Sequence, residues 1–155
     1  QRLSISSLPP FAAKKQIVYN KEVMESAFRE LLINAMKYSE KADSIYVIFF
    51  MKDSYLEIKI LNPAYKNQDD SIGITGVHEN MIFEPFYRMS TVSHEGYSME
   101  EFGAGIGLTV VKRVIENHGA DISIYTLKNH TENGNERDVS VSIRFPYVEN
   151  SNHKE

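Results

Sequence analysis

The chain has 155 residues, 42% of them hydrophobic, which is enough for one domain with a real core. A formal net charge of −4 with 25% charged residues argues against a protein that coats nucleic acid or an anionic membrane, and against wholesale disorder. The absence of cysteine excludes disulfides, Cys-ligated zinc, iron–sulfur clusters and a thiol nucleophile, and no apolar run approaches the ~18 residues of a membrane helix.

The chain starts at Gln1 and not at Met, which reads as a fragment of something longer, and residues 1–16 read as a linker. Ile17–Tyr19 is a candidate short strand. Asn20 is placed as an N-cap, and the run Lys21–Ser39 predicts a helix with Met24, Phe28, Leu31 and Ala35 as its apolar stripe. Ile45–Met51 and Tyr55–Leu61, separated by a short polar turn, predict an antiparallel hairpin. Residues 62–76 are turn-rich, His78–Phe83 predicts a short helix, and Ser90–Phe102 reads as a long functional loop. A second helix is expected over Ile106–His118, with Leu108, Val111 and Ile115 on one face and Gly119 as its stop. Ile122–Leu127 and Val139–Phe145 read as a closing pair of strands, and residues 149–155 as a frayed tail. This order implies an α/β (α+β) fold: a two-layer sandwich with helices on one face of a mixed, mostly antiparallel sheet.

Two segments carry candidate chemistry. On the first helix Val23, Ala27, Glu30, Asn34 and Lys37 share a face, and that face turns from apolar to polar at Glu30, with Tyr38 one turn beyond Asn34. An acid, an amide, an ammonium and a phenol suit a metal-bound polyphosphate, although spacing alone fits a solvated face equally well. In Gly103-Ala104-Gly105-Ile106-Gly107-Leu108 glycines alternate at the mouth of the second helix, an arrangement suited to phosphate. Alone it is equally a hinge; it has neither the dinucleotide spacing nor the Lys-Ser/Thr of a P-loop.

In combination and in order, these segments resemble the ATP-binding catalytic domain of sensor histidine kinases, a branch of the Bergerat-fold ATPases that also include gyrase and MutL. Glu30–Ser39 resembles the family's N-box, Ile82-Phe83-Glu84-Pro85-Phe86-Tyr87-Arg88 its F-box, and Gly103–Leu108 its second glycine box. The resemblance covers roughly Ile17–Pro146, and residues 17–148 are assigned to the catalytic domain. It implies ATP and Mg²⁺ as cofactors, with Asn34 as metal ligand and Glu30 as base or water-orienting group near the γ-phosphate. Lys37 and Tyr38 would hold phosphates, Phe83 and Phe86 would anchor the lid 90–102, and Arg88 would lie near the phosphates. Gly103, Gly105, Ile106, Gly107 and Leu108 would form the hinge against the triphosphate.

The family's first glycine box, Asp-x-Gly-x-Gly, is altered. Asn62 stands where the adenine-reading Asp belongs and Ala64 where the first Gly belongs; its amide carbonyl still accepts from an adenine amine, without a carboxylate's charge. Asp69–Gly76 is a competing register, which lies close to the F-box and is disfavoured by its spacing. The Thr that such folds carry on the last strand falls on Val139 or Ser140.

None of His78, His94, His118, His130 and His153 lies in a phosphoacceptor-like helical setting. The resemblance therefore implies a dimerisation domain with the acceptor histidine N-terminal to this chain and a downstream response regulator. It further implies a cytoplasmic, monomeric fragment without nucleic-acid or membrane contact. Three alternatives stand beside active phosphotransfer: a pseudokinase or nucleotide-responsive regulatory module, motivated by the altered glycine box; a serine kinase of the anti-sigma-factor type; and a gyrase-like or MutL-like ATPase. The F-box argues against the last two.

Overall fold

The computed structural model describes residues 1–8, 15–39, 43–65, 71–74, 76–89, 105–128 and 137–148. Strands β1 (Arg2–Ile5), β2 (Ser44–Met51), β3 (Tyr55–Pro63), β4 (Asp121–Lys128) and β5 (Arg137–Pro146) form one sheet in the order β1-β2-β3-β5-β4. The β1–β2 pair is parallel and the others are antiparallel. Helices α1 (Lys21–Lys37), α2 (His78–Met81) and α3 (Gly107–Asn117) complete the two-layer α/β sandwich expected from the sequence. Among the described residues no helix is long and apolar enough to cross a membrane.

Strand alternation separates the two faces. Ile58 and Ile60 of β3, Val139, Val141, Ile143 and Phe145 of β5 and Ile124 of β4 all face the helices. They meet Met24, Ala27, Leu31 and Ala35 of α1 and Val111 and Ile115 of α3 in one core. Asn62 continues the Ile58–Ile60 row, so it occupies a core-facing position and is only 4% exposed.

Helix α1 starts because Asn20 caps it, its side chain accepting from the Val23 N–H at 3.2 Å. The Asn20 N–H in turn donates to Nε2 of His118 at 3.0 Å, while His118 Nδ1 bonds Val114 O at 2.6 Å. This pair of bonds requires the neutral ring protonated on Nδ1, and it ties the start of α1 to the end of α3.

The N-terminus differs from the expected linker. Arg2-Leu3-Ser4-Ile5 alternates polar and apolar and pairs along the outer side of β2. Beside it, the Gln1 side chain donates to Met36 O at 2.6 Å and Ser39 O at 2.9 Å, tying the N-terminus to the end of α1. The strand expected over Ile17–Tyr19 does not form: Ile17 packs on the core, but Val18 and Tyr19 are exposed and pair with no strand.

The opposite face of the sheet carries a polar cluster. Glu57 accepts from Ser142 Oγ at 2.6 Å and Arg144 Nε at 3.2 Å, with Lys59 Nζ 3.9 Å away. Burial by itself pushes the carboxyl up, but the bonds from Ser142 and Arg144 and the charges of Lys59 and Arg144 outweigh it and hold Glu57 below its ordinary value. Such a group contributes stability above the unfolded carboxylate's pKa and loses it as pH falls through the folded one. Thermal stability is therefore expected to fall below about pH 4, more steeply than in Glu57→Gln. At neutral pH Glu57→Gln should cost about 1–3 kcal/mol. Identical acid limbs for the two proteins in thermal melts would overturn this.

Candidate functional site

A cavity of about 340 Å³ opens between α1, the sheet and the segment leading into α3. Helix α1 contributes Glu30, Asn34 and Lys37 to its wall, one polar stripe at helical spacing, and its C-cap residue Tyr38 follows them. The sheet contributes Ile124, Val139 and Val141 with Asn62 among them. The cavity thus has an apolar floor interrupted by one amide, and a helix wall bearing an acid, an amide, an ammonium and a phenol. Apolar lining with few placed polar groups is the usual character of a small-molecule site.

Burial pushes the Tyr38 phenol above its ordinary value, and the nearby Arg88 charge opposes that only in part. Tyr38 therefore remains a neutral hydrogen-bond donor at physiological pH.

The mouth is formed by two interlocked turns. The Phe86 N–H donates to Gly105 O at 2.9 Å, and both residues have left-handed backbones, with φ of 64° and 72°. A Cβ on Gly105 would lie 3.2 Å from Phe86 Cα and from Arg88 Cγ, so this approach needs glycine. Phe86 is a non-glycine residue held in a strained conformation, which marks an over-determined turn. The same turn brings Tyr87, Arg88 and Met89 to the cavity. The Tyr87 hydroxyl bonds His78 Nδ1, so the histidine that opens α2 supports the cavity wall.

Of the site residues named from sequence, Glu30, Asn34, Lys37, Tyr38, Asn62, Arg88, Gly105, Ile106, Gly107 and Leu108 all line this one cavity. Phe86 does not: its turn carries the ring into solvent, where it is 74% exposed. Phe83 is a core residue, with Lys112 Nζ 5.3 Å from its ring centre. Gly103, the lid 90–102, His94, His130 and His153 lie outside the described residues.

The two registers weighed for the first glycine box meet in space. Asn62 lines the cavity from the end of β3, and so do Gly73 and Ile74 from the segment disfavoured by its spacing. The Gly73 N–H donates to Tyr65 O at 2.8 Å, joining the two pieces; residues 66–70, with Asp69 and Asp70, lie outside the described residues. Sequence reasoning treated the two as exclusive because it assumed an unbroken motif. The Gly-Ile pair a short way before the F-box was the available signal.

Residues 20–149 match the family described as "Histidine kinase-, DNA gyrase B-, and HSP90-like ATPase". The chain belongs to this family. Within it, the chain is similar to sensor kinases. It is 27% identical over 117 residues to the sensor histidine kinase HprS of Escherichia coli, covering 75% of this chain and 23% of that protein. Cyanobacterial phytochrome B of Nostoc is 33% identical over 95 residues, 61% of this chain and 11% of that one. The sensor protein SrrB of Staphylococcus aureus is 25% identical over 114 residues, 74% of this chain and 18% of that one. The chain thus spans less than a quarter of these relatives.

Among solved structures, the mycobacterial sensor histidine kinase MprB superposes with a TM-score of 0.67 at 20% identity, over 94% of this chain and 81% of that chain. The catalytic domain of histidine kinase ThkA superposes with a TM-score of 0.62 at 14% identity, over 94% and 79%. The fold is that of histidine-kinase catalytic domains, carried by a member of the histidine kinase-, gyrase B- and HSP90-like ATPase family.

Proposed function

We propose that this domain binds Mg²⁺–ATP in the cavity and transfers the γ-phosphoryl group to a histidine on a dimerisation domain of a longer protein, which in turn serves a response regulator. The observation that carries this reading is the division of one cavity into an apolar floor with a single amide and a polar α1 wall facing a glycine turn. The floor suits a purine, with Asn62 meeting its amine, and the opposite wall suits a triphosphate.

The donor set fits magnesium. No group of three or more His, Cys, Asp or Glu able to hold a metal ion exists among the described residues. A cation that uses one or two protein ligands and otherwise takes phosphate oxygens and water matches Asn34 beside a nucleotide. Bound there, Mg²⁺ would neutralise phosphate charge. Lys37 and Arg88 would neutralise further charge, Tyr38 would donate to a phosphate oxygen, and Glu30 would receive the proton released as the imidazole nitrogen bonds phosphorus. The bond from phosphorus to the bridging oxygen breaks, and ADP leaves.

A second groove supports the approach of an acceptor. About 460 Å³ of space between α1 and α3 is lined by Val23, Ala27, Val110, Val111 and Val114, and it meets the nucleotide cavity at Glu30 and Gly107. An apolar helix face seated there would deliver its histidine beside Glu30.

Calorimetric titration of the chain with ATP, ADP and GTP, each with and without Mg²⁺, tests the reading. ATP binding enhanced by Mg²⁺ is expected. A folded chain that binds no nucleotide would overturn the reading and leave a regulatory module acting through partners.

A further inference from the structure

The base end of the cavity is held by a residue that none of the sequence motifs singles out. On the helix-facing side of the sheet Asn62, Val139 and Thr126 stand side by side across β3, β5 and β4. Thr126 Oγ1 accepts from the Ile74 N–H at 2.7 Å and donates to Ile74 O at 2.7 Å. One hydroxyl thus satisfies both backbone groups of a residue in the cavity wall. The preceding Gly73 has φ of 74°, and a Cβ there would lie 3.0 Å from Thr126 Cγ2 and 3.1 Å from Ala64 Cβ, so the turn is pressed onto β4 with no room for a side chain. On the other side of the floor, Asn62 Nδ2 donates to Pro63 O at 3.1 Å, which leaves the acceptor Oδ1 for the cavity.

We propose that Thr126 is a positioning residue for base recognition: by clamping Ile74 to β4 it fixes the apolar wall against which Asn62 selects a nucleobase with an exocyclic amine at the edge it meets. The proposal rests on the nucleotide reading above and deepens it. The Gly73 N–H bond to Tyr65 O joins this segment to the end of β3, and the Thr126 side chain ties Ile74 to a third element, β4. An acceptor at Oδ1 matches the 6-amine of adenine and meets the 6-oxygen of guanine as oxygen against oxygen.

The test compares ATP and GTP binding by the wild-type chain, Thr126→Val and Thr126→Ser. Valine keeps the branched shape and removes both bonds, so ATP affinity should fall roughly tenfold while GTP affinity stays low, narrowing the preference. Serine keeps the hydroxyl and should restore the preference, which a merely structural role would not predict. Wild-type binding of ATP with no change in Thr126→Val overturns the positioning role alone; absence of wild-type nucleotide binding overturns the reading beneath it. Should Thr126→Val not fold, Gly73→Ala reads the same contact from the other side, with the same narrowing expected. Amide exchange gives a measurement on the unaltered chain: the Ile74 N–H should be protected, and free exchange in the folded protein would refute the clamp.

Discussion

Replacement of Asn34 by alanine is expected to lower magnesium-dependent ATP affinity and phosphotransfer by at least about a hundredfold without loss of fold. Loss of a partner one shell further out already costs metal sites about 10- to 100-fold, and Asn34 would be a direct ligand. No cluster of acids among the described residues can substitute for it. Its position favours a clean experiment: Asn34 lies on α1, only partly buried and lining the cavity, and alanine is the better helix former there. Titration with and without Mg²⁺ should show the two curves converging in Asn34→Ala, as they should for the wild-type chain under a chelator. A variant that retains the full magnesium effect would remove Asn34 from the metal site.

The second large effect is expected at Gly107, where helix propensity and chemistry pull in opposite directions. Gly107 is the first residue of α3, and its backbone is ordinary, so alanine is acceptable to the helix and should leave the melting temperature unchanged or higher. A Cβ there would, however, overlap Glu30 Oε1 and lie 2.9 Å from Glu30 Cδ and 3.2 Å from its Cγ. The carboxylate must move, since it is the far end of a flexible side chain while the helix backbone is packed through Val111 and Ile115. A displacement of about 1 Å at a reacting group costs on the order of a hundredfold in rate. Gly107→Ala should therefore lose phosphotransfer to a supplied acceptor domain by about that factor, while ADP binding changes little. A fully active variant would remove Glu30 from proton transfer; a destabilised one would show that the contact is structural.

The parts of the site that were legible in the sequence lie within single elements. Glu30, Asn34 and Lys37 fall together because a helix repeats every few residues, so their shared face follows from spacing once Asn20 starts the helix. The hairpin β2–β3 and the strands β4 and β5 were legible for the same reason, with bounds shifted by at most two residues. Two positions were misjudged for want of partners. The alternation Arg2-Leu3-Ser4-Ile5 is too short to be decisive until β2 offers it an edge, and Ile17–Tyr19 has the composition of a strand but no edge to join.

Phe86 shows a different limit. Its motif names an aromatic at that position, but the left-handed turn closed by Gly105 decides that the ring faces water and that Arg88 reaches the cavity. Backbone hand at one residue depends on a contact with a segment far along the chain, and spacing within the motif does not reveal it.

The amino-acid order alone determined a two-layer α/β domain, its polar helix face, its glycine turn and Asn62 at the end of a strand. Each is encoded by a period of two or of 3.6 residues, or by a cap next to the element it ends. Only the tertiary structure joined Gly73 and Ile74 to Asn62, placed Thr126 behind them and set Glu30 against Gly107. Those relations depend on strand register and on the closure of intervening loops, whose entropy varies only slowly with length, so the chain's local pattern leaves them open until the core is packed.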